Sequence, residues 1–325
     1  MSDEGDAPSP NATLGVFLIG IALASVYYGI TFLQACFYFR SFPEDRRRMK
    51  ALVAMVWFTV TLSHIFICHA AYYYLIKHQG NTYALMHTVW SLALPAGVNS
   101  MTGMMVQIFL ARRVFILSGR NWVLTVLIWA LALAQGCMGW SIAISSLLHP
   151  DGTEIKKYAV SDGEPRRDSG LILLKELVPP TFALTAATDV VVTASLVFYL
   201  QIRKTGVQGT NGLVNRLICM TVKSGLISSS LALSACIIQI RCPESFVPIA
   251  LCFILGKAYA NTFLTSLNNR DTIRSQYLAS TDEDATGIYF AKSVISTAVD
   301  PLDGLEANDK EVDGRDDGSV TFTAA

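Results

Sequence analysis

Three ionisable side chains stand inside apolar runs: Asp189 in TFALTAATDVVVTASLVFYLQI, Lys223 in the run 217–240, and Lys257 in FILGKAYANTFLTSLNNR. A charge facing hydrocarbon costs about 2.5–3.5 kcal/mol on insertion scales, so such groups turn inward to pair or to line a wet cavity. The chemistry open to them is an ion or substrate site, a proton relay, a counter-ion to a ligand, or an ion pair that fixes helix register. At about 1.5 Å per residue, Asp189 lies about 13 Å, Lys257 about 17 Å and Lys223 about 26 Å from the same end of the bundle. A lysine stem covers the first offset and not the second. We therefore expect an Asp189–Lys257 ion pair near the midplane, with Lys223 snorkelling to the far interface.

Amides extend this set. Asn99 and Gln107 fall in the third apolar run, and Asn261 lies one turn beyond Lys257 on the same face. The expected intramembrane polar site is Asp189, Lys257, Asn261 and Asn99. His64 and Cys68 share a face of the second run, but His69 points roughly 140° from His64 and no third ligand has suitable spacing. No metal site, cofactor site or catalytic constellation is expected, and the chain reads as a non-enzyme. A lysine in the seventh span invites a retinal Schiff base. Microbial rhodopsins, however, place an aspartate four residues earlier, where this chain has Phe253.

The elements that must position these groups are membrane helices. Of 325 residues, 52% are hydrophobic and 15% charged, with a mean hydropathy of +0.42. That composition describes a polytopic membrane protein, partnered by a lipid bilayer and not by nucleic acid. Runs long enough to cross about 30 Å of hydrocarbon fall near 14–39, 51–76, 89–111, 122–148, 180–202, 217–240 and 246–267. The expected fold is all-α: a seven-transmembrane-helix bundle over 14–270, a short outer N-terminus over 1–13, and a disordered acidic tail over 271–325. The tail carries 12 acids against four bases and too few large apolar residues to fold alone. Ser280 and Thr281 precede Asp282-Glu283-Asp284, a context that acid-directed kinases favour. The opening MSDEGDAPSPNA has no basic segment, so the first span reads as a retained anchor.

Seven spans put the termini on opposite sides. Loop 40–50 carries five bases, and loops 112–121 and 203–216 carry three each. The positive-inside rule then sets the N-terminus outside or lumenal and the C-terminus in the cytosol, in the plasma membrane or an internal one. Asn11-Ala12-Thr13 is a glycosylation sequon on that outer side. All cysteines except Cys242 fall within spans and read as small apolar residues.

Tyr72, Tyr73, Tyr74, Trp90 and Trp122 sit near expected interfaces as anchors. Pro95, Gly97 and Gly103 predict a kinked third helix. Ala132 with Gly136, and Gly225 with Ser229, have the spacing of close helix contacts. Pro179-Pro180 should begin the fifth span, leaving 170–178 as a short surface helix.

The topology is that of G-protein-coupled receptors. Yet the third run ends LARRVF where those have an acid-Arg-aromatic triplet, and the seventh has NTFLT in place of Asn-Pro-x-x-Tyr. A closer set of marks runs over 13–270. They are FPEDR at 42–46, Trp57 followed by HAAYYYL at 69–75, SGRNW at 118–122, Asp189 with SLVFYL at 195–200, NRLI at 215–218 with SGL at 224–226, LGKAYAN at 255–261 and SLNNR at 266–270. In these the chain resembles the seven-span integral membrane proteins, abundant in mushroom-forming fungi, that carry a C-terminal domain of unknown function, family 6534. That domain is expected near 183–272. Relatives often carry Asp-Thr where this chain has Val60-Thr61, and asparagine where it has Lys223. The resemblance implies the fold and the membrane location, and places Asp189 and Lys257 in a common design; it assigns no activity. The functional expectation is a receptor-like protein with a small ligand or cytosolic partner, and the alternative is a small-molecule or ion transporter with a midplane polar site.

Overall fold

The computed structural model describes residues 10–79, 87–149, 169–202, 208–242 and 245–270. The tail, with Ser280 and Thr281, lies outside them, as does the side chain of Asn11. The described elements are all helical: α1 (Pro10–Ser41), α2 (Arg47–Tyr72), α3 (Trp90–Leu117), α4 (Trp122–Leu148), α5 (Ser169–Ile202), α6 (Gln208–Arg241) and α7 (Val247–Asn268). Each is long and apolar enough to cross a membrane, and the chain is a multi-pass membrane protein. Large apolar side chains such as Leu33, Phe58, Val123 and Ile240 point outward, where lipid in place of water removes their cost.

The helices form a closed ring in chain order, with α7 returning to pack on α1, and α3 and α7 touch across it. In the most apolar stretch, 61% of α3 and 67% of α7 is buried, against 22–39% for the other five. These two helices are therefore the axis, and polar groups on them are shielded from lipid.

Glycines set the close approaches. A Cβ on Gly139 would collide with Ser100, and one on Gly225 with Thr193, which lets α4 lie against α3 and α6 against α5. The turn between α3 and α4 explains the SGRNW motif. Gly119 and Arg120 both adopt left-handed φ, +71° and +70°; the Arg120 N–H then reaches the Phe115 carbonyl at 2.9 Å. Asn121 caps α4 by accepting from the Leu124 N–H at 3.3 Å.

Two expectations about local structure are corrected. α5 does not begin at Pro180 but runs unbroken from Ser169 through both prolines. The two carbonyls that lose their helical donors are those of residues 175 and 176, inside the helix. Tyr74 is not an interfacial anchor. It is buried, donates to the His87 carbonyl at 2.7 Å and accepts from the Val89 N–H at 3.0 Å, tying the end of α2 to the start of α3. α2 widens into a π-helical turn over Tyr73–Lys77 to deliver it.

At the carboxyl-terminal end of the bundle, Arg270 pairs with Asp45. The Tyr38 hydroxyl donates to the same carboxylate at 2.7 Å, and the guanidinium stacks over Phe42 at 4.5 Å. Nearby, Asn268 donates to the Gln34 carbonyl at 2.9 Å. The FPEDR and SLNNR motifs are thus two halves of one clasp between the α1–α2 turn and the end of α7. Asp45→Asn should lower stability by about 2 kcal/mol, read as a fall in the thermal midpoint of the purified protein in nanodiscs. A shift no larger than that of Glu44→Gln would contradict the clasp.

Candidate functional site

The buried charges belong to two networks. Lys257, wholly buried on α7, donates to Ser63 Oγ of α2 at 2.8 Å. Ser63 donates in turn to Asn99 Oδ1 of α3 at 2.8 Å, and Asn99 Nδ2 donates to the Cys252 carbonyl of α7 at 3.0 Å. This chain stitches α2, α3 and α7 together. It needs Gly256, because a Cβ there would overlap the Asn99 carboxamide. One turn further along α3, Thr102 donates to Thr59 of α2 at 2.9 Å.

Asp189 stands in the second network. Its carboxylate accepts from the Tyr259 hydroxyl at 2.6 Å and from Gln107 Nε2 at 3.2 Å, joining α5 to α7 and α3. The expected Asp189–Lys257 ion pair is not formed. Among the described residues no hydrogen bond or ion pair joins them, and Lys257 makes a single hydrogen bond, to a neutral hydroxyl. What separates them is the direction around α7. Tyr259 follows Lys257 by two residues, about 200° around the helix. The side of α7 facing α5 therefore presents a phenol, and the ammonium faces α2.

Two cavities meet at Tyr259, which lines both. The first, of about 310 Å³, lies among α3, α4, α5 and α7 and extends to the amino-terminal end of the bundle at Thr88, Ser146 and Ser245. Its walls are apolar, with Ala93, Phe182 and Phe253 among them, and its polar groups include Asn99, Ser100, Gln135 and Thr185. The second, of about 300 Å³, lies toward the carboxyl-terminal half and is edged by Asp189, Asn261, Arg113 and the exposed Lys223. Both volumes sit at the lower edge of the range for small-molecule sites.

The four expected site residues are thus divided. Asn99 couples to Lys257 and faces the first cavity, while Asp189 and Asn261 face the second. Asn261 Oδ1 is buried without a hydrogen-bond partner. His64 and Cys68 do share a face, with Sγ 3.7 Å from Nε2, and His64 stacks on Tyr28 at 4.4 Å. His69 instead meets Ser91 at 2.8 Å. Gln135 and Tyr259 were not singled out from sequence, although a lone carboxamide in ALALAQGCMGW was a visible signal.

The architecture is that of a seven-helix membrane protein with a polar centre. The model of a family described as a family of unknown function (DUF6534) matches residues 185–272, from Asp189 on α5 through all of α6 and α7, including Lys257, Tyr259 and Arg270. No curated protein and no solved structure shows significant similarity to the chain.

Proposed function

We propose that the chain is a non-catalytic, receptor-like membrane protein that binds a small molecule in the first cavity, with its amino-terminal end outward and its acidic tail in the cytosol. The observation that carries this reading is the first cavity itself. It is concave, largely apolar, open toward one end of the bundle and floored by convergent polar groups on the two axial helices. Occupancy beside Asn99 and Tyr259 would act on both networks that fix α7, a route to the clasp at the opposite end. The basic loops support the sidedness.

The test is binding in nanodiscs by wild type and Ala93→Phe, which fills the cavity from a buried wall position. Molecules that raise the thermal midpoint of wild type should lose that effect in the variant. Equal shifts in both proteins would contradict a ligand site there.

Transport is a second reading, favoured by the second cavity lying directly behind Tyr259. It requires net flux of a bound molecule across proteoliposomes, abolished by Asp189→Asn. Saturable binding without flux supports the receptor-like reading.

A further inference from the structure

Gln135 of α4 is 3% exposed, lines the first cavity, and has its Oε1 buried with no hydrogen-bond partner. Buried carboxamides are almost always paired, and each exception asks for a reason. The other polar groups deep in the cavity are already engaged. Asn99 holds Ser63 and the Cys252 carbonyl, and Tyr259 holds Asp189. Ser100 donates to the Ala96 carbonyl and Thr185 to that of Thr181. Gly103 of α3 packs beside the amide, with Gln135 Nε2 and the Tyr259 ring edge each 3.4 Å from where a Cβ would stand. Gln135 thus lies by Tyr259 as the one lining residue, among those described, with a buried polar atom that has no hydrogen-bond partner in the protein.

The lining also limits the charge of an occupant. Among the described residues it contains no lysine, arginine, histidine, aspartate or glutamate, and an ion held there would be desolvated without a partner. We infer that the first cavity takes an uncharged, mainly hydrocarbon molecule bearing a hydroxyl, which hydrogen-bonds to the Gln135 carboxamide and lies against Tyr259. This inference rests on the proposed ligand-binding role of the cavity and names the ligand class.

The test uses three probes with one skeleton: geraniol, geranyl sulfate and geranyltrimethylammonium. Displacement of tritiated geraniol from the full-length protein in nanodiscs is measured against empty nanodiscs, for wild type, Gln135→Leu, Gln135→Met and Ala93→Phe. Thermal melts check that each variant is folded, and the methionine variant keeps the side-chain length should leucine disturb the α3–α4 contact. Saturable binding of geraniol, little displacement by either ion, and a loss of about tenfold in both Gln135 variants are expected. Equal displacement by all three probes, unchanged affinity in the Gln135 variants, or no saturable geraniol binding would overturn the inference. Preference for the ammonium, lost in Asp189→Asn, would also overturn it and assign recognition to the carboxylate behind Tyr259. The broader cavity reading fails separately: it falls if Ala93→Phe binds as wild type does, and stands if that variant loses binding while the Gln135 variants keep it.

Discussion

Lys257→Met should stabilise the protein, and Asp189→Ala should strongly destabilise it. The lysine is a fully buried ammonium whose one described hydrogen bond goes to a neutral hydroxyl. Methionine keeps the length of the side chain and removes the desolvation cost, while Ser63 retains its bond to Asn99. A gain of about 1 kcal/mol or more is expected as a higher thermal midpoint. Asp189→Ala does the reverse, because it leaves the Tyr259 hydroxyl and the Gln107 amide without their acceptor in a buried site. At about 1–3 kcal/mol for each stranded donor, a loss of roughly 3 kcal/mol is expected. Were the two charges paired, Lys257→Met would itself strand a buried carboxylate and cost about 3–5 kcal/mol. The sign of the Lys257→Met shift therefore separates the two arrangements.

The second large effect is expected at Gly256. A Cβ there would lie 2.6 Å from Asn99 Cγ and 2.9 Å from Asn99 Cβ, and both ends of that carboxamide are committed, to Ser63 and to the Cys252 carbonyl. Asn99 cannot swing away without breaking one of them. Gly256→Ala should cost about 2 kcal/mol and Gly256→Val more, by overpacking and by loss of the α2–α3–α7 link. Gly29, with open space around its Cβ position, is the matched control: Gly29→Ala should be neutral or slightly stabilising. Equal midpoints for the alanine variants at 256 and 29 would contradict the tight crossing of α3 and α7.

The seven helices were legible because about 20 apolar residues in a row leave few alternatives in a chain of this composition. The passage of α5 through Pro179-Pro180 was not, since proline reports a missing donor and a ring clash, and membrane helices continue through both where their neighbours satisfy the freed carbonyls. Depth along the bundle can be read from the rise per residue. Facing direction was the missing coordinate. Two polar residues spaced as Lys257 and Tyr259 must point to opposite sides of one helix, so a helical projection of KAY would have offered Asp189 a phenol in place of the ammonium. The clasp between Asp45 and Arg270 joins residues far apart in the chain and depends on α7 closing the ring onto α1, which no local pattern encodes. The first cavity depends on how Gly103, Gln135 and Tyr259 meet across three helices, and cavity shape follows from packing, not from sequence spacing.

The separation of the two buried charges is tested most directly by a double-mutant cycle on Asp189→Asn and Lys257→Met, reading the stability of all four proteins in the same nanodiscs. With no partner shared between the two side chains, the effects should add to within about 0.5 kcal/mol. A coupling of about 1–3 kcal/mol, with the double variant recovering what each single change loses, would show that the charges pair and would remove Tyr259 from its place between the two cavities.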